Sequence, residues 1–130
     1  MNQKQVKAYV ASPLTAKTKE EREKNIRKAR AYEKAVSEQF GCRAVAPHGY
    51  LPYIIDDTVP EERRMAMDFG IKILESCDIL VVCGDTISPG MEEEIRYAVM
   101  RSMPIVSYKE NIDDYLEKKT KITVIIEELG

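Results

Sequence analysis

Histidine is almost absent from this chain: His48 stands alone in 130 residues. With no second histidine and no Cys/Asp cluster at ligand spacing beside it, a metal centre is not expected. Cysteine is scarce as well. Cys42, Cys77 and Cys83 form an odd set with no CxxC spacing, so they read as reduced thiols. Cys77 and Cys83 flank an apolar run and are expected to pack in the core. The motifs GxGxxG, Walker A and GxSxG are all missing. The longest apolar runs, such as Ile79–Cys83, fall far short of a bilayer span. The amino terminus, MNQKQVKAYVASPL, lacks a basic region followed by an apolar one, so export is not expected. Neither sign of charge dominates, with 20 Lys plus Arg against 22 Asp plus Glu. That balance leaves no electrostatic case for nucleic-acid or membrane binding. These absences together predict a cytoplasmic protein that needs no metal or cofactor.

What remains is ample for a core. A chain of 130 residues with 44% hydrophobic content is one domain's worth of sequence, and 1–130 is read as a single domain. Val6–Ala11 is a short apolar strand ended by Ser12-Pro13. Lys17–Phe40 places Ile26, Ala29, Tyr32, Val36 and Phe40 at helical steps, with Thr18 and Glu21 as a capping pair and Gly41 as the stop. Cys42–Ala46 is a second strand and Tyr50–Val59 an irregular loop. Pro60–Ser76 is a second helix with Met65, Phe69, Ile73 and Ser76 on one face. Asp78–Cys83 is a continuous apolar strand of the kind buried on both faces of a parallel sheet. Ser88–Ser102 is a third helix and Pro104–Tyr108 a fourth strand. Asn111–Lys118 reads as helical, while Lys121–Leu129 fits either a strand or a helix. This alternation predicts an α/β fold: a small doubly wound, Rossmann- or flavodoxin-like parallel sheet of 4–5 strands flanked by helices.

In such a sheet, ligands bind beyond the carboxyl ends of the strands. The loop after Cys83 is the richest of these ends. Ser88 suits an N-cap, Pro89 the first helical position, and Gly90 allows close approach to the backbone. Such a helix start is a natural anion site, although the same residues also serve simply to begin a helix. Three glutamates follow. At about 100° per residue, Glu94 lies about 60° from Met91, on the flank of the face made by Met91, Ile95, Ala98 and Ser102. Glu93 lies opposite and Glu92 between. Glu94 is therefore the carboxylate expected against protein, where desolvation makes it a better nucleophile or base. An early-helix glutamate facing the helix dipole is the plainer alternative. His48, Tyr9 and Ser12 sit at strand exits, each able to meet a ligand or to serve the local structure. Asp78 is at the wrong end of its strand for catalysis. Asp85 is at the right end and is the better candidate acid; Asp68 in the second helix fits a surface charge.

Taken in order, Tyr9-Val10-Ala11-Ser12-Pro13, Pro47-His48, Cys77-Asp78, Ser88-Pro89-Gly90-Met91, Glu94 and Ala98 resemble the nucleoside 2-deoxyribosyltransferase-like superfamily, in its small bacterial and phage branch. The resemblance runs over about residues 6–106. It implies an N-glycosidase or deoxyribosyltransferase acting on a nucleoside or nucleoside 5'-monophosphate. Glu94 would then be the nucleophile and Tyr9 its hydrogen-bond partner. Ser12, Pro13, His48, Gly84, Ser88, Gly90 and Met91 would line the substrate. A serine at 88, in place of an aspartate, implies contact with a 5'-phosphate. The family's general-acid aspartate falls on Gly70, with Asp68 two positions away, so Asp68 or Asp85 would supply the acid. Leu14 stands where phosphate-hydrolysing members carry arginine. A homodimer or larger homo-oligomer is also implied. The alternative is a non-catalytic module that binds a nucleotide or nucleotide-derived signal in the same cleft.

Overall fold

A computed structural model describes residues 5–14, 16–56, 58–109 and Ile112. The expected helices and strands over Asn111–Lys118 and Lys121–Leu129 lie outside the described residues, apart from Ile112, which is helical and buried.

Four parallel strands, β1 (Lys7–Ala11), β2 (Arg43–Val45), β3 (Ile79–Cys83) and β4 (Ile105–Tyr108), form one sheet in the order β2-β1-β3-β4. Helices α1 (Lys19–Phe40), α2 (Pro60–Glu75) and α3 (Pro89–Met100) link them. The α/β architecture is the one the alternating pattern predicts. The register of the central pair sets Tyr9 beside Leu80 and Ala11 beside Val82. Because side chains alternate along a strand, β1 feeds two cores. Ala8 and Val10 pack with Ala29, Tyr32, Ala35 and Val36 of α1. Tyr9 and Ala11 pack on the other face, with Leu74 of α2 and Met91 and Ala98 of α3.

Local chemistry explains the boundaries. The Thr18 hydroxyl accepts from the Glu21 amide at 3.1 Å, and the chain leaves α1 through Gly41 at φ 61°, a left-handed conformation that glycine adopts without strain. Ile26, Ala29, Tyr32 and Val36 are buried as their spacing predicts, but Phe40, at the last turn, is 59% exposed. Two single turns of 3-10 helix follow β2: Pro47–Gly49, just before the expected irregular loop, and Leu51–Tyr53 within it. Proline at an early position of each turn removes an amide that would otherwise need a partner. Asp78 accepts from the Lys7 amide at 2.9 Å and so ties the entries of β1 and β3 together. In α2 the buried residues are Gly70 and Leu74, whereas Met65 and Phe69 remain about half exposed. The stripe through Met65 and Phe69 therefore does not face the sheet. No helix among the described residues is long and apolar enough to cross a membrane.

Candidate active site

At the carboxyl ends of β1 and β3 the helices depart to opposite faces of the sheet, the edge at which folds of this kind place their ligand crevice. The residues along it come from β1, the turn after β2, α2 and the start of α3.

Glu94 is the centre of the arrangement. The burying face of α3 runs through Met91, Glu94 and Ala98, one residue per turn, so its carboxyl is carried inward rather than along the flank. Only 2% of the residue is exposed, while Glu92 and Glu93 face solvent. Neither Glu94 oxygen has a hydrogen-bond partner among the described residues. Burial pushes its carboxyl pKa up, and the nearby Glu93 pushes it further. The neighbourhood of His48 and of the Tyr9 hydroxyl pulls it part of the way back. Tyr9 is near enough to feel the carboxyl strongly, yet no bond of proper geometry closes between them, and the Glu94 oxygens stay open. Burial, and then the Glu94 charge, hold the Tyr9 hydroxyl well above the usual phenol range. It therefore stays a neutral O–H donor at physiological pH.

Around this carboxyl stand further polar groups. The His48 ring meets the Ser12 carbonyl through Nδ1 at 2.9 Å. A carbonyl only accepts, so Nδ1 carries the proton and Nε2 is left for other partners. Ser12 is 1% exposed, and its hydroxyl has no hydrogen-bond partner among the described residues. Gly84 takes φ 87°, and a Cβ there would stand 3.4 Å from the Tyr32 hydroxyl and 3.9 Å from Pro13 Cδ. The chain thus leaves β3 in a turn that packs beside Pro13. Ser88 caps α3: its hydroxyl accepts from the Met91 amide at 3.3 Å, and the Met91 sulfur accepts from the Ser88 amide at 3.4 Å. The Glu92 amide bonds to the Ser88 carbonyl at 3.0 Å. Pro89 has no amide, so Gly90 supplies the N–H in the first turn that the cap leaves over, and the Ser88 hydroxyl keeps its own proton to donate.

The two candidate acids are placed differently. Asp68 ion-pairs with Arg64 at 3.4 Å on the outer side of α2, with its side chain 62% exposed. It lies about 160° around the helix from Gly70, which faces the site. Asp85 is exposed just after β3. Two residues of α2, Met67 and Gly70, line the site, and the sequence reading gave neither of them a place in it, naming Gly70 only as the position where an acid is missing. A Cβ on Gly70 would lie 3.1 Å from the Tyr9 hydroxyl, and one on Gly90 would lie 3.7 Å from the Met67 sulfur. Their three-residue spacing on α2 was the available signal, since it places Met67 and Gly70 on one side of a helix.

The thiols contribute no nucleophile. Burial raises the Cys42 and Cys77 thiols and pushes Cys83 up to about 12, so all three stay protonated at neutral pH. Among the described residues there is no group of three or more His, Cys, Asp or Glu side chains able to hold a metal ion.

The same fold occurs in a 2-deoxyribosyltransferase from the psychrotolerant bacterium Bacillus psychrosaccharolyticus. The two structures superpose with a TM-score of 0.58 at 20% sequence identity, over 80% of this chain and 72% of that one. At that identity the likeness establishes architecture. No curated protein matches the chain significantly. A family model described as a domain of unknown function, DUF7768, matches residues 6–108, which covers β1 through β4. The chain therefore belongs to the DUF7768 family, built on a deoxyribosyltransferase-like α/β fold.

Proposed function

We propose that the protein cleaves or exchanges the N-glycosidic bond of a nucleoside or nucleoside 5'-monophosphate, with Glu94 as the nucleophile. The observation that carries this reading is the Glu94 carboxyl: buried one turn into α3, without a partner for either oxygen, and flanked by Tyr9 and His48. Leaving a buried carboxyl unsatisfied costs stability, and a substrate that engages it would remove that cost. The fold shared with a 2-deoxyribosyltransferase supports the same substrate class.

In the first step one Glu94 oxygen bonds to the sugar's anomeric carbon as the C–N bond breaks. The base leaves with the electron pair and takes up a proton. The centre passes through an oxocarbenium-like state, as in retaining glycosidases. Water, or the nitrogen of a second base, then attacks the same carbon, loses a proton and releases the Glu94 carboxylate. Tyr9, held neutral, is the neighbouring O–H that would donate to the carboxylate once a substrate engages it. Asp85 is the carboxyl on this edge that could protonate the leaving base, because Asp68 is committed to Arg64 on the outside of α2. A 5'-phosphate would dock at the Ser88 hydroxyl and the Gly90 amide, near the positive end of the α3 dipole. Ser12, Pro13, His48, Gly84 and Met91 would frame the remainder. The reading includes a single-domain chain acting without a cofactor.

The test is release of free base from a panel of nucleosides and 5'-monophosphates, followed by chromatography. Wild type should release base from at least one member, and Glu94→Ala should abolish release while remaining folded. Turnover retained by Glu94→Ala would remove Glu94 from the mechanism. One observation favours a second reading. Gly70 faces the Tyr9 hydroxyl where an acid would stand, and brings no side chain. A module that binds a nucleotide without cleaving it would show a ligand-dependent rise in melting temperature and no free base with any substrate.

A further inference from the structure

His48 is the middle residue of a single turn of 3-10 helix, and a turn that short has too few hydrogen bonds to hold its own shape. What holds it comes from outside. On one side the His48 ring reaches the Ser12 carbonyl at the exit of β1, 2.9 Å from Nδ1. On the other side the next residue is gripped by Arg30 of α1, whose Nε donates to the Gly49 carbonyl at 2.7 Å. The Arg30 stem fills the space that Gly49 leaves by lacking a Cβ, since that atom would meet Arg30 Cγ at 2.7 Å. The guanidinium lies over the Tyr50 ring at 5.1 Å and over the Tyr53 ring at 4.9 Å, cation–π distance from both. The Tyr50 hydroxyl in turn bonds to the Glu33 carboxyl, one turn along α1 from Arg30. Arg30 is exposed, and α1 packs on the face of the sheet opposite to α3. Arg30 therefore acts on the site only through the turn.

We propose that Arg30 is a positioning residue: by fixing the Gly49 carbonyl it holds the His48 imidazole on the Ser12 carbonyl and within electrostatic reach of Glu94. What the hold achieves rests on the reading of Glu94 as the nucleophile; the hold itself does not. Glu94 feels His48 from this turn, Tyr9 from β1 and Glu93 from its own helix. Burial pushes the Glu94 carboxyl up, and His48 opposes that more strongly than Tyr9 does. A carboxyl must be ionised to attack carbon, so a His48 that drifts away leaves a smaller ionised fraction. The donor atom matters here more than the charge. Nε is the atom that meets Gly49. Glutamine carries its amide nitrogen at the same number of bonds from Cα, whereas methionine has a methyl group there and lysine a methylene.

His48 is the only histidine in the chain, so nitrogen NMR of the full chain reads its ring without ambiguity. Above the ordinary titration range of imidazole, wild type should carry the ring proton on Nδ1. Arg30→Gln should keep that signature. Arg30→Met should lose it, the two tautomers mixing as the bond to the Ser12 carbonyl breaks. Position 30 is exposed, and circular dichroism will show that each variant is folded; if Arg30→Met is not, Arg30→Lys serves in its place. The second readout is the pH profile of kcat/KM for base release. Its acid limb should move to higher pH in Arg30→Met and stay in place in Arg30→Gln. A wild type with no preference for Nδ1 overturns the proposal. So does an Arg30→Met with the wild-type tautomer, an Arg30→Gln as disturbed as Arg30→Met, or an acid limb that does not follow the tautomer. Base release with an unmoved tautomer sinks the role of Arg30 and leaves Glu94 standing. The expected tautomers with no base released from any substrate sink the reading of Glu94 and leave the hold on His48 standing.

Discussion

Replacing Glu94 by glutamine should stabilise the protein at neutral pH while removing its chemistry. A carboxyl whose pKa is raised by folding holds its proton more tightly in the native state than in the unfolded chain. Between the two pKa values the native state binds the extra proton, so stability falls as pH rises through that window. Above the window the ionised, unpartnered Glu94 is a net cost. Glutamine keeps the shape and cannot ionise. The gain expected for Glu94→Gln near pH 8 is about 1–3 kcal/mol, the part of the burial cost that belongs to the charge and that a neutral amide of the same shape does not carry. For a chain of this size that is a rise of roughly 4–10 °C in melting temperature. The gain should shrink toward zero as pH falls to the ordinary carboxylate range, about 4.3. Urea melts of both proteins at several pH values measure it. Glu93→Gln is the control: it lies on the solvent side of α3 and should change stability by less than about 0.5 kcal/mol. Parallel stability curves for wild type and Glu94→Gln, or a less stable variant near pH 8, would refute the account of Glu94 as a strained, open carboxylate.

Two further outcomes follow from the same geometry. Ser88→Ala should weaken 5'-phosphorylated ligands more than unphosphorylated ones in a thermal-shift titration, and equal weakening of both would refute phosphate docking at Ser88. Gly49→Ala should destabilise by about 1–3 kcal/mol, because the new methyl would lie 2.7 Å from Arg30 Cγ and 3.3 Å from the Arg30 amide. Unchanged urea melts would show that the turn bearing His48 is free to shift.

Much of the architecture could be read directly from the residues. Val6–Ala11, Asp78–Cys83 and Pro104–Tyr108 each lose only one residue at the amino end in becoming β1, β3 and β4. β1 and β3 are the continuous apolar runs of buried parallel strands, β4 is an edge strand with only Tyr108 buried, and the prolines and glycines beside them mark the turns. Thr18, Gly41 and Ser88 locate helix ends because capping is local chemistry. Periodicity also singled out Glu94 among the three glutamates as the one against protein, but it set the residue on the flank of the apolar face, whereas the buried face runs through it. The orientation of α2 was not. Its most apolar stripe, through Met65 and Phe69, points away from the sheet, and the packed side is built on Gly70 and Leu74. A glycine has almost no hydrophobic signal, and its value at position 70 is the room it leaves for the Tyr9 hydroxyl, which appears only once β1 and α2 are in place. The 3-10 turns around His48 were likewise hidden, because Arg30 secures them from 19 residues away, donating to the Gly49 carbonyl at 2.7 Å and lying over the Tyr50 and Tyr53 rings.

The winding of the chain around its two middle strands separates two jobs. Glu94 and Tyr9 are anchored to a helix and a strand, whereas Thr86 and Ile87, on the rim above them, are exposed to water. Evolution or an engineer could therefore lengthen, shorten or rewrite that rim to change which guest is admitted, without retuning the acid waiting underneath.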